Sequence, residues 1–284
     1  MLIPALLPRI PVGDWFANLV RWLKATLGIV FDAIVVVLDW IIDSLEWLLN
    51  FSDIYFEIPS FWFLSVLLAL LAWKLAGRGV AIFTFLGILL IASMNLWGPA
   101  VQTLAVIITA TIVALIIGIP LGILAAKFNP VNAAVRPVLD FMQTLPAFVY
   151  LLPAVIFFGI GVVPAVIATI IFAMPPAVRL TNLGIRQVPV ELIEAGEAFG
   201  SNWFQLLFKV QLPQALPTIM AGVNQCIMLA LSMVVIASLI GGGGLGSVVN
   251  RGISRLDVGL GFEGGLAVVI IAIILDRLTQ GSED

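Results

Sequence analysis

Three carboxylates at regular spacing are the first residues whose chemistry needs an account. Glu191, Glu194 and Glu197 stand at i, i+3 and i+6. On a helix they drift slowly round one side, while Leu192, Ile193, Ala195 and Phe199 supply the apolar positions. Acid–base catalysis would need partners, and the chain has no histidine, so no Ser/His/Asp set exists. No Gly-x-x-x-x-Gly-Lys-Ser/Thr run is present to cradle ATP phosphates. Cys226 is the single cysteine, which excludes an internal disulfide and a Cys/His metal site. In an apolar helix it reads as a small packing residue. What remains for the three glutamates is recognition. They form either a solvated helix face or one that pairs with basic groups on another protein.

The neighbouring residues shape a hook. Pro189 falls where a first helical turn tolerates proline, and acids in that turn suit the helix dipole. Gly200 reads as a helix stop, Ser201 or Asn202 as the cap of a second short helix, and Pro213 as its end. The stretch Glu191–Pro217 is the longest polar interruption in the later, apolar part of the chain. It predicts a short amphipathic helix, a sharp turn and another helix, set between membrane spans and suited to gripping a soluble partner.

These residues resemble the EAA loop of ABC-type importer permeases: Glu-Ala-Ala, three residues, Gly, nine residues, Ile-x-Leu-Pro. The chain has Glu194, Ala195 and Gly196, then Gly200, then Val210, Gln211, Leu212 and Pro213 in that spacing. It departs at Gly196, usually Ala, and at Val210, usually Ile. Gly196 costs about 1 kcal/mol of helix propensity. The similarity runs from about Gly98 to Gln280 and is close to the glycine betaine/proline branch. It includes LDFMQTLPAFVYLLPAVIFFGIGVVPAVIA (Leu139–Ala168), PPAVRLTNLGIRQVP (Pro175–Pro189), SMVVIASLIGGGGLG (Ser232–Gly246) and IILDRLTQ (Ile273–Gln280).

Composition alone places the chain in a bilayer. Its 284 residues are 62% hydrophobic and 10% charged, with mean hydropathy +1.20. A soluble domain carries about 25% charge, and no soluble core of this size would hide the surplus. Net charge of −3 argues against nucleic acid. No basic region followed by an apolar core and cleavage site opens the chain, so no cleavable signal is expected.

In order, Pro4, Pro8 and Pro11 predict an extended arm. From Gly13 to Asn50 the residues Asp14, Arg21, Lys24, Asp32, Asp39, Asp43, Glu46 and Asn50 fall on one helical arc. That fits one helix, or two joined near Gly28, lying in the interface with Trp15, Trp22, Trp40 and Trp47 at headgroup level. The rival is a spanning helix whose stripe faces neighbours; four acids in one span would be expensive. Spans are expected near 60–77, 79–97, 100–126, 138–159, 162–178, 214–240 and 264–279. Gly118, Pro120 and Gly122 predict a kink in the third. Pro146, Pro153, Pro164, Pro175 and Pro176 predict breaks in the fourth and fifth, which places both inside the bundle near a pathway.

With the N-terminus outside, Lys74, Arg78, Lys127, Arg136, Arg179, Arg186, Lys209 and Arg277 fall inside, and Arg9, Arg21, Lys24, Arg251 and Arg255 outside. This bias puts the hook in the cytoplasm and the C-terminus with it. Intramembrane charge is sparse. Asp140 is expected to pair with Arg136 one helical turn earlier, and Asp276 and Arg277 close the last span. No carboxylate stands near a span centre, which disfavours proton coupling. Gln143, Thr144, Asn224, Gln225 and Ser232 line a polar route or tie helices together. Phe141, Phe148, Tyr150, Phe157 and Phe158 cluster beside the broken helices as core packing or as faces for a quaternary amine. Gly241–Gly246 is a flexible turn or, as the resemblance suggests, part of an outer gate or docking surface that includes Gly243 and Gly244.

The expected architecture is an all-α integral membrane protein. The resemblance implies a type I ABC importer transmembrane domain of about seven spanning helices with an N-terminal amphipathic helix. Residues 1–58 form the arm and interfacial helix, 59–97 two accessory spans and 98–284 the permease core, with its coupling loop at about 188–213. It further implies a non-enzymatic permease for osmoprotectants in the cytoplasmic membrane, with Glu191, Glu194, Ala195, Gly196, Glu197, Gly200, Leu212 and Pro213 facing an ATPase. Phe141, Gln143, Thr144, Pro146, Phe148, Tyr150, Asn224, Ser232, Gly243 and Gly244 are the pathway or gate candidates. Implied partners are a second copy, two ATPase subunits that use ATP and Mg, and an extracytoplasmic binding protein. This chain itself is expected to bind no cofactor. No fused binding domain is expected after the last span. The rivals are a permease for another small solute, an ion-coupled carrier and a non-transporting scaffold.

Overall fold

Glycines set the distances between the three helices at the centre of the molecule. The computed structural model describes residues 12–55 and 59–280, so the proline-containing arm lies outside the described residues. Helix α5 (Trp97–Lys127) packs along α8 (Val162–Arg186), which packs in turn along α11 (Leu212–Ala237). A Cβ built at Gly122 would lie 2.6 Å from Thr181 Cβ and 2.7 Å from the Val178 carbonyl oxygen. At Gly222 and Gly184, between α8 and α11, an added Cβ would lie 3.0 Å from Leu180 Cβ and from Thr218 Cβ, a somewhat looser approach. Association without a hydrophobic drive between helices depends on such backbone contact. Gly118 faces Met174 and Ala177 while Gly122 faces Thr181, so α5 and α8 run parallel. Gly222 faces Pro176 and Leu180 while Gly184 faces Ala215 and Thr218, so α11 runs antiparallel to α8.

Around this core lie α1 (Val12–Leu49), α2 (Phe51–Tyr55), α3 (Ser60–Ala76) and α4 (Arg78–Ser93). α1 is one unbroken helix through Gly28. α3 and α4 form a hairpin turning at Gly77, whose φ is +89°. At 17 and 16 residues they are shorter than the spans expected there; about 20 residues are needed to cross hydrocarbon. Among the described residues, five helical paths are long and apolar enough to cross: α1, α5, α8, the path Trp203–Ile240 and α13 (Val258–Gln280). A sixth is a bent pair.

That pair corrects the expected span at 138–159. α6 (Asn129–Thr144) starts well before it, and the chain then turns by 110° into α7 (Leu151–Phe158). Leu145 is extended, with ψ 136°, because a residue before proline is pushed out of the helical region, here by Pro146. A 3-10 turn over Ala147–Tyr150 completes the bend. The break expected in 162–178 is absent. α8 continues through Pro175 and Pro176 to Arg186, flanked by α5 and α11. Pro164 falls in its first turn, where the missing N–H would be unpaired in any case. α5 likewise passes Pro120 without ending. Helix α12 (Gly244–Arg255) was not foreseen; it folds back along α13.

Candidate functional site

The hook is α9 (Val190–Ala198), a turn, and α10 (Trp203–Leu206). Gly200 has φ +78°, the left-handed conformation that an L side chain resists. Its N–H donates to the Glu197 carbonyl at 2.9 Å and the Ser201 N–H to the Gly196 carbonyl at 3.0 Å. This is the Schellman pairing that closes a helix end. Asn202, not Ser201, then caps α10. Its side chain accepts from the Gln205 N–H at 2.9 Å, and its own N–H donates to Gln205 Oε1 at 2.8 Å. Gly196 also faces Leu206, whose Cδ1 would lie 2.7 Å from an added Cβ. Glycine at this position therefore admits the second helix of the hook.

Pro213 does not end that helix, contrary to expectation. A π turn over Leu207–Gln211 joins α10 to α11. The Leu212 N–H reaches back to the Leu207 carbonyl, and the wider turn carries the path past a residue that has no N–H to give. The second helix of the hook thus runs on into α11 as one helical path, Trp203–Ile240. Leu206 and Leu207 are buried; Leu207 joins Ile185, Ala215 and Ile219 in a small core, with Leu212 and Trp203 packed against it. Lys127, at the end of α5, sits 3.5 Å from the Trp203 ring centroid.

Beyond its Gly196 contact with Leu206, α9 is open. It buries no residue, and Glu191, Glu194 and Glu197 make no ion pair among the described residues. Phe199 is 91% exposed beside them, with Phe204, Phe208 and Val190 also exposed. The hook thus exposes three carboxylates beside a bare aromatic ring.

The pathway candidates separate into distinct places. Phe141, Gln143, Thr144, Pro146 and Phe148 lie exposed at the bend. Tyr150 is buried; its hydroxyl donates to the Met142 carbonyl and its ring meets Phe172, so it pins the bend. Ser232 lies on the uncovered face of α11 with Gln225 and Met228, and donates to its own helix. Asn224 Oδ1, on α11, is buried without a partner among the described residues. Gly243 and Gly244 are at the opposite end from the hook. There the Gly244 N–H donates to Gln102 Oε1 at 2.7 Å and the Leu245 N–H to Thr103 Oγ1 at 2.8 Å. Two side chains of α5 thus cap the N-terminus of α12, and Gly161 N–H donates to the Ile240 carbonyl alongside. The glycine run is a packed joint and not a loose turn. Gln102 and Thr103, polar neighbours in an apolar helix, were the signal the sequence offered.

Asp140 pairs with Arg179 on α8, not with Arg136. α6 climbs antiparallel along α8, as the Arg186–Asn129 contact at 2.9 Å and the Asn182–Asn132 contact at 2.8 Å show. That brings Arg179 to Asp140 and leaves Arg136 lining a cavity of about 340 Å³ between the two helices.

Known proteins resemble this chain in sequence and in fold. The chain is 52% identical over 274 residues to the glycine betaine transport system permease protein OpuAB of Bacillus subtilis (strain 168), covering 96% of this chain and 95% of that one. It is 51% identical over 277 residues to the glycine betaine/carnitine transport permease protein GbuB of Listeria monocytogenes serotype 1/2a (strain 10403S), covering 96% of each. A solved structure of the MetNI methionine ABC transporter in inward-facing form shares the fold, with TM-score 0.56 at 22% identity over 64% of this chain and 90% of that one. Residues 118–282 match the binding-protein-dependent transport system inner membrane component, and with the exposed hook, the all-helical core and these relatives the chain belongs to that family as a multi-pass permease subunit of an ABC importer.

Proposed function

We propose that this permease imports glycine betaine or a related methylated amine or proline-type solute, powered by two separate ATPase subunits and fed by an extracytoplasmic binding protein. The hook carries the mechanical part of this reading. It is a rigid-based helix with bare carboxylates and an exposed Phe199, continuous with α11. The substrate class rests on the relatives, whose names specify glycine betaine and, in one, carnitine. The hook faces the cytoplasm, where ATP is, in agreement with the excess of Lys and Arg at that end; the N-terminus is then outside and the C-terminus inside.

Two copies form the pathway, each presenting the uncovered faces of α11 and of the bend. ATP, with Mg, binds on the partner ATPases and closes them. The hooks follow, and α11 and α8 transmit the movement to the bend, so that the cavity alternates between the two sides. A quaternary amine crosses without a fixed counter-charge, and the exposed Phe141 and Phe148 offer aromatic faces to it.

Uptake of labelled glycine betaine into proteoliposomes, by the chain purified with its ATPase and binding protein, tests the reading. Uptake should need ATP, and Gly200→Pro should abolish it by removing both the left-handed φ and the N–H given to Glu197. Uptake by the chain alone on an ion gradient would overturn the reading.

A further inference from the structure

Two sets of contacts hold α1, and both lie at the end of the bundle opposite the hook. Toward its start, Lys24 Nζ donates to the Ile156 carbonyl at 3.1 Å, in the last turn of α7. One helical stretch later the Phe31 ring meets Phe157 and Phe158, with centroids 5.0 and 5.3 Å away. At the far end α1 runs into α2, where Asp53 accepts from the Ser60 hydroxyl at 2.6 Å, and the Trp97 indole donates to that hydroxyl at 2.7 Å. Trp97 opens α5 and Phe158 precedes the start of α8. Because α5 and α8 run parallel, these anchors are at the same end.

Lys24 and Leu49 are about 38 Å apart along a helix rising 1.5 Å per residue. That exceeds the hydrocarbon thickness of about 30 Å. A crossing helix would put its anchors at opposite ends of the bundle, so α1 lies across one end, although its length and apolarity alone would let it cross. Between the anchors Leu38 and Ile42 are buried in the main core, while Asp32, Asp39 and Asp43 are exposed. Exposed Trp22, Trp40 and Trp47 suit headgroup level.

We propose that α1 is an interfacial brace that ties the outer arm of the bent pair to the α3–α5 corner and so sets how far the bend moves during transport. α7 has eight residues, and its last carbonyls have no partners within the helix. Lys24 supplies a donor to one of them, and Phe31 covers the aromatic pair beside it. Both are positioning residues, tied to the helix that follows the turn carrying Phe148 and Tyr150.

The proposal rests on the transport reading, and the test separates the two. Lys24→Met and Phe31→Ala are made in the full complex with ATPase and binding protein. Hydrogen exchange of the Val155–Gly159 amides, read without substrate or nucleotide, should quicken about fivefold or more in the double variant, as local protection is lost. Uptake per ATP hydrolysed should fall several-fold while the complex stays assembled. Depth is read from spin labels at Trp22→Cys and Trp47→Cys, since Cys226 is buried; the two should lie at equal depth. Unequal depths would overturn the placement, and unchanged exchange in the double variant would overturn the brace. Quickened exchange with uptake per ATP unchanged would overturn its role in the cycle. Failure of the unmodified complex to transport would instead count against the transport reading, leaving exchange and depth to decide the brace.

Discussion

At Gly196 and Gly200 the same residue type does two different jobs. Gly200 is required for its φ of +78°, so any L side chain there is strained. Gly196 is helical, and its neighbour is the flexible end of Leu206. We expect Gly196→Ala to keep at least half of the uptake, because about 1 kcal/mol of recovered helix propensity offsets a small shift of Leu206. Gly196→Phe should abolish association with the ATPase, since the hook's second helix would be displaced. Pull-down of the ATPase by each variant checks both. Equal loss in Ala and Phe would mean that bare backbone, not room for Leu206, is what position 196 supplies.

At the scale of helices, close backbone approach outweighs ion pairing. The Arg179–Asp140 side chains are 40% and 56% exposed, and pairs so open contribute about 0–1 kcal/mol. Gly122 lies against the α8 backbone, where an added side chain costs about 1–3 kcal/mol or more. Thermal unfolding in detergent should therefore show Asp140→Asn close to the unmodified chain and Gly122→Val clearly lower; the reverse order would refute this ranking. These elements also show what the sequence could and could not disclose. The hook was legible because its signals are local: a glycine stop, an Asx cap and acids at helical spacing. The partner of Asp140 was not, since Arg136 is near in sequence and Arg179 only in space. The path through Pro213 was hidden because a π turn leaves no residue signature. α12 was missed because its N-terminal cap comes from Gln102 and Thr103, far back in the chain. Proline breaks were over-read in α8 and right at Pro146, where the preceding Leu145 is free to extend, whereas Pro175 and Pro176 sit between two packed helices.

For the whole molecule, the uncovered surface bears on the proposed pathway between two copies. Phe141 and Phe148 are 63% and 62% exposed at the bend, and Gln225, Met228 and Ser232 lie along an open face of α11. The bend packs beside α11 through Tyr150, Leu151 and Met233, so these exposed residues belong to neighbouring elements. Lipid would cover the aromatics but would leave the glutamine and serine poorly solvated. A second copy bringing the same face would cover the aromatics and enclose a polar route between the two chains, a self-complementary two-fold arrangement. Cys226 is fully buried, so an introduced cysteine is the accessible thiol. Phe148→Cys in native membranes should yield a covalent dimer with a short bis-maleimide. Leu86→Cys, exposed on α4 of the peripheral hairpin, should not. Cross-linking at Leu86 and none at Phe148 would place the contact between copies on the α3–α4 hairpin and leave the bend facing lipid. The pathway would then have to run within one chain, and the two-copy arrangement would fall.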